Sequence, residues 1–129
     1  MEFKVLSSLR LIVKEARVVV ELIRLLLFQE KQLSVKNPVI FIPGFMFSDL
    51  YLLPIIRYFR KKGVPTYGWK MGVNRGYSEK RKERLVKRID QILKKREAEE
   101  IILIGWSMGG VYAREIAHDY PQKVKLVLA

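Results

Sequence analysis

Residues Val5 to Phe28 are mostly apolar, and the charges that interrupt them (Arg10, Lys14, Arg17, Glu21 and Arg24) recur at helical spacing in one narrow stripe. Leu6, Leu9, Val13, Ala16, Val20, Ile23 and Leu27 run down another face. The spacing predicts a long amphipathic helix within residues 1–33, one that needs cover on most of its circumference. Its apolar runs fall short of the roughly 18 residues a membrane-spanning helix requires. Charges break the apolar stretch too often for a cleaved signal peptide.

After a polar joint from Glu30 to Asn37 the pattern changes. Val39-Ile40-Phe41-Ile42, entered through Pro38, is a continuous apolar run of the kind that forms a strand buried on both faces. Pro54 is predicted to open a helix at its first position, with Gly63 as the stop. Pro65 to Trp69 reads as a second strand. Ser78 is placed to cap a helix in which Leu85, Ile89, Ile92 and Leu93 recur at helical spacing among lysines and arginines. Ile101 to Ile104 reads as a third buried strand, Met108 to Tyr120 as a helix, and Val124 to Leu128 as a fourth strand. The order β-α-β-α-β-α-β predicts an α/β domain over residues 38–129: a parallel sheet of about four strands with helices on both faces.

Composition narrows the function classes. The chain has 129 residues, with 25 Lys plus Arg against 13 Asp plus Glu, a net charge of +12, a single His and no Cys. A sequence that is 50% hydrophobic folds rather than remaining disordered. Without cysteine there is no disulfide scaffold and no thiolate metal site, and one histidine leaves no His-based zinc site. No metal, nucleotide or flavin motif is present, so no cofactor is expected. The basic excess favours anionic partners. Much of it, however, lies between Glu79 and Glu97 as the outer face of an amphipathic helix, and no nucleic-acid-binding pattern accompanies it. The lack of disulfides fits a reducing compartment, the cytoplasm. The cationic stripe within residues 1–30 suits peripheral contact with an inner-membrane surface.

Chemistry enters at Gly105-Trp106-Ser107-Met108-Gly109, a G-x-S-x-G sequence between the third strand and the next helix. A strand–turn–helix connection this sharp needs small residues two before and two after the serine, which here are Gly105 and Gly109. The turn lifts Ser107 to the end of the sheet, where the helix N-terminus faces any negative charge that develops. An oxyanion hole requires two backbone N–H groups, one after the nucleophile and one after an earlier strand. Met108 and Phe45 hold those positions, with Gly44 allowing close approach. Phe45, Met46, Phe47, Trp69 and Trp106 near this point suggest an apolar acyl group.

The elbow continued as Gly110-Val111-Tyr112-Ala113-Arg114-Glu115, the loop Ile42-Pro43-Gly44-Phe45 and the stretch from Tyr67-Gly68-Trp69 to Asn74-Arg75-Gly76 resemble bacterial α/β-hydrolases of the lipase and esterase type. The resemblance covers most of the chain from Pro38 onward. It implies a partial α/β-hydrolase fold, Ser107 as nucleophile, and the amides of Phe45 and Met108 as oxyanion hole. It also implies that Lys70 to Gly76 lies near the mouth of the site, where Asn74, Arg75 and Trp106 would contact substrate.

The resemblance stops at the rest of the triad. In this fold the acid and then the histidine follow the serine along the chain. Downstream of Ser107 stand only Glu115, His118 and Asp119, all on or at the end of the elbow's own helix. At about 1.5 Å per residue, His118 lies about 16 Å along that helix, whereas a general base must come within about 3 Å of its proton. Three readings follow. The first is a serine hydrolase acting on a small-molecule or lipid ester through an acyl-enzyme. In that reading the chain is the N-terminal portion of a longer catalytic domain, inactive and self-associating by itself. The second is a non-catalytic binding or assembly module. The third is a peripheral membrane-associated protein built on the N-terminal helix.

Overall fold

A computed structural model describes residues 37–129; the helix predicted within residues 1–33 lies outside the described residues. The elements run β1 (Val39–Ile42), α1 (Asp49–Lys61), β2 (Thr66–Gly68), α2 (Glu79–Arg96), β3 (Ile101–Gly105), α3 (Met108–Asp119), a 3-10 turn (Pro121–Lys123) and β4 (Val124–Leu128). Every strand pairing is parallel, and the sheet order is β2-β1-β3-β4. The α/β layering expected from the alternation of elements is the observed one.

The two central strands are the uninterrupted apolar runs. β1 and β3 are buried at every position, and their register sets Val39 opposite Ile102 and Phe41 opposite Ile104. Alternate side chains of a strand point to opposite faces, so each central strand supplies both layers. Ile40, Ile42, Ile101 and Leu103 share one core with Leu85, Ile89 and Ile92 of α2 and Tyr112, Ala113 and Ile116 of α3. On the other side Phe41 meets Phe59 of α1, with ring centroids 5.7 Å apart. Each large aliphatic side chain buried this way contributes about 1.5–3 kcal/mol. β4 forms an edge of the described sheet and is only partly buried.

Capping decides where the helices start. The Ser78 hydroxyl accepts from the Arg81 N–H and opens α2 as the sequence predicts. α2 keeps Leu85, Val86, Ile89, Ile92 and Leu93 inside and turns Lys80, Arg84, Lys87, Lys94 and Lys95 outward, so most of its charge is a solvated face. Lys82 folds inward instead, pairing with Asp119 at the end of α3 and with Glu79. α1 departs from expectation, because it begins before Pro54 and carries that proline in its interior. Ser48 accepts from the Leu50 N–H and Asp49 occupies the first turn, so the helix nucleates there. Pro54 then removes only one intrahelical bond, and Leu52, Ile56 and Phe59 bury the inner face.

Candidate active site

The sheet order contains a reversal. After β1 the chain runs outward to β2, and then returns to the far side of β1 as β3. At the carboxyl ends of β1 and β3 the chain therefore leaves toward α1 on one face and α3 on the other. This is the switch point at which parallel sheets open a ligand crevice. The Pro43–Phe47 loop follows β1 there, and the elbow follows β3.

The elbow is tightly wound. Ser107 adopts φ 50° and ψ −114°, a conformation that L-residues rarely take. The adjacent glycines are required by contact rather than by dihedral angle. A Cβ on Gly105 would stand 2.3 Å from the Gly109 carbonyl oxygen, and one on Gly109 would stand 2.1 Å from the Ile42 carbonyl oxygen. The Trp106 N–H donates to Ile42 O at 3.0 Å, and the Gly109 N–H donates to Trp106 O at 2.8 Å. The result is an exposed Ser107 at the N-cap of α3 whose hydroxyl makes no capping hydrogen bond.

Gly44 brings the β1 loop against this turn. A Cβ there would lie 3.1 Å from Trp106 Cδ1 and 3.4 Å from Ser107 Cβ. Phe45 follows, 52% exposed, and Met46 turns the loop at φ 64° with 61% of its surface exposed. Among the described residues neither the Phe45 nor the Met108 N–H has a hydrogen-bond acceptor. Two free backbone donors thus flank a serine at a helix N-terminus, an arrangement that can receive an oxyanion. Leu50, Tyr51, Val73 and Val111 also expose large apolar surface.

Asn74 is placed differently from expectation. It is fully buried, its amide donates to Pro43 O at 2.8 Å, and its carbonyl oxygen accepts from the Gly76 N–H at 3.0 Å. Its backbone accepts from Met46 N–H at 2.6 Å and donates to Phe47 O at 2.9 Å. The polar atoms that would contact a substrate are spent on the loop, so Asn74 holds backbone instead. Arg75 is exposed, and Trp106 is half-buried against Gly44.

Sequence reasoning missed two residues. The Asp49 carboxylate accepts from Trp69 N–H at 3.1 Å and Lys70 N–H at 2.8 Å, tying the first turn of α1 to the exit of β2. The buried Tyr112 hydroxyl donates to Gly76 O at 2.6 Å and accepts from Ser78 N–H at 3.2 Å. Nothing along the chain signals either pairing, because each partner is brought in by the tertiary fold.

The remaining titratable groups stand apart. His118 is 87% exposed and touches Asp119 at 3.2 Å. The Lys82 ammonium, and secondarily His118, hold the Asp119 carboxyl below the usual carboxylate range. Among the described residues no cluster of His, Cys, Asp or Glu could hold a metal ion, and no helix is long and apolar enough to cross a membrane.

The sequence profile of the alpha/beta hydrolase fold family matches residues 37–128. Among solved structures the chain is similar to an extracellular alpha/beta-hydrolase from a Paenibacillus species, reported to share structural and functional homology with tobacco salicylic acid binding protein 2. The TM-score is 0.51 at 19% identity, over 70% of this chain and 38% of that one, so the likeness is one of fold and the chain spans well under half of that hydrolase. No curated protein matches the chain.

Proposed function

The chain belongs to the α/β-hydrolase fold family, and from that premise we propose that it carries the nucleophile and oxyanion hole of a serine hydrolase acting on carboxylic esters. The observation that supports this reading is Ser107: exposed, strained at φ 50°, unspent as a cap, and set beside Gly44 at the switch point.

Ser107 Oγ attacks the ester carbonyl carbon while a general base takes its proton. Charge moves onto the carbonyl oxygen, where the N–H groups of Phe45 and Met108 and the positive end of α3 receive it. Collapse expels the alcohol, which regains the proton, and leaves an acyl group on Ser107. Water activated by the same base then releases the acid. One such donor is worth about 10²–10³ in kcat. His118 does not serve as the base, since it sits at the far end of α3 and faces solvent. Among the described residues no histidine stands near Ser107, so residues 37–129 alone are expected to be inactive. The exposed Phe45, Met46 and Leu50 favour an apolar acyl chain, and the lack of cysteine favours action in the cytoplasm.

The test is hydrolysis of a series of p-nitrophenyl esters of increasing acyl length by the protein as the cell makes it. Turnover that rises with chain length and is lost in Ser107→Ala is expected. Turnover that persists in Ser107→Ala overturns the assignment, and its absence from the wild-type protein favours a non-catalytic binding module.

A further inference from the structure

The two halves of the oxyanion hole come from separate parts of the chain. Met108 begins α3, whereas Phe45 sits on a loop with an exposed, left-handed residue beside it. A loop of that kind moves easily, yet an oxyanion donor must be held to within about half an ångström of its working position. Something has to fix the loop to the helix.

We infer that Asn74 and Tyr112 form a buried polar strut that holds the Phe45 N–H in register with the Met108 N–H, and that both act as positioning residues for the reaction proposed at Ser107. The strut starts on α3 itself. Tyr112 follows Met108 by one helical turn, and its hydroxyl donates to Gly76 O at 2.6 Å. The Gly76 N–H donates to the Asn74 side-chain oxygen at 3.0 Å, and the Asn74 amide donates to Pro43 O at 2.8 Å. Pro43 lies two residues before Phe45. Backbone bonds from Met46 N–H to Asn74 O and from Asn74 N–H to Phe47 O bracket Phe45 from the other side.

Both side chains are fully buried, so neither can touch substrate, and each has committed its polar atoms to backbone. Tyr112 is further clamped by Trp69, at 6.0 Å between ring centroids, and by Tyr77, at 5.0 Å. Buried, fully satisfied polar networks are stiff, because every alternative leaves a donor or acceptor unpaired. Without the Tyr112 hydroxyl, Gly76 O keeps only its bond from the Arg81 guanidinium at 3.0 Å, so the link from α3 through Gly76 to Asn74 and Pro43 is lost. The two residues should therefore act as one unit.

The inference rests on the serine-hydrolase reading, and the experiment separates them. In the protein as the cell makes it, Asn74→Ala, Tyr112→Phe and the double variant are compared with wild type and Ser107→Ala in steady-state ester hydrolysis and in amide exchange of the peptide spanning residues 43–47. Tyr112→Phe keeps the ring and its packing, so it guards against simple misfolding of Asn74→Ala. The expected result is a fall in kcat of about tenfold for Tyr112→Phe and about 100-fold for Asn74→Ala with KM unchanged. The double variant should be no worse than Asn74→Ala, and exchange of the 43–47 peptide should be faster in all three. Wild-type kcat in Tyr112→Phe and Asn74→Ala, or losses that multiply in the double variant, overturn the strut while leaving Ser107 in place. An inactive wild type, or an active Ser107→Ala, overturns the strut and the hydrolase reading together.

Discussion

Gly109→Ala tests the elbow's packing without touching a reactive group. A Cβ at this position would sit 2.1 Å from Ile42 O, 2.8 Å from Ile42 C and 2.8 Å from Pro43 O. All three are backbone atoms at the end of β1, so no side chain can swing aside. Ordinary contact begins at about 3.4 Å, and the end of β1 must therefore withdraw from α3 by about 1 Å. Overpacking of this kind costs about 3 kcal/mol or more, offset by a gain of up to about 1 kcal/mol for alanine over glycine in a helix. A net loss of at least about 2 kcal/mol follows, which lowers the melting temperature of a domain this size by about 10 °C. Gly63→Ala is the control, since its Cβ would meet nothing within 4 Å and only the positive φ of 82° opposes it. That variant should lose about 1 kcal/mol. Denaturant unfolding followed by circular dichroism measures both. If Gly109→Ala stays within about 0.5 kcal/mol of wild type, or is milder than Gly63→Ala, the close approach of α3 to β1 is wrong.

The strain at Ser107 should be visible as well. Ser107→Gly relieves a conformation costing about 1–3 kcal/mol and adds about 0.5–1 kcal/mol of unfolded-chain freedom. It should therefore raise stability by about 1 kcal/mol while removing the proposed nucleophile, and a destabilised variant in the same denaturant assay contradicts the strain. Asp119 gives a pH test. Its carboxyl is held below the usual range in the folded state, chiefly by the hydrogen bond from Lys82. The stability this supplies is present above the unfolded value of about 3.9 and disappears as pH falls through the lower folded value. Asp119→Asn should flatten the loss of stability on acidification below about pH 4. Identical acid limbs for wild type and variant would contradict the pairing.

The chain's legibility follows from how local each signal is. β1 and β3 could be read directly because strands buried on both faces need apolar residues at every position, and Val39–Ile42 and Ile101–Ile104 supply them. The elbow is legible as a spacing of glycines around Ser107, although only Gly105 answers to the turn itself and Gly109 answers to Ile42 and Pro43 at the end of β1. α1 was misplaced because Pro54 looks like a helix opener, whereas the Ser48 cap and the Asp49 anchor set the start earlier. Asn74 read as a loop residue free to meet a ligand. Its burial depends on Pro43, far back in the chain, and an Asn near a Gly carries no mark of a distant partner. Tyr112 lies in the segment predicted as a helix, but nothing in that segment marks its hydroxyl's partners, Gly76 and Ser78, which the fold brings beside it.

The central claim is that Ser107 is a nucleophile held beside two free backbone donors. Covalent labelling by a fluorophosphonate tests it most directly, applied to the protein as the cell makes it, with the adduct located by mass spectrometry. One adduct per chain is expected, on the peptide containing Ser107, absent from Ser107→Ala and from heat-denatured protein. An unlabelled Ser107, or an adduct that survives Ser107→Ala, would contradict it.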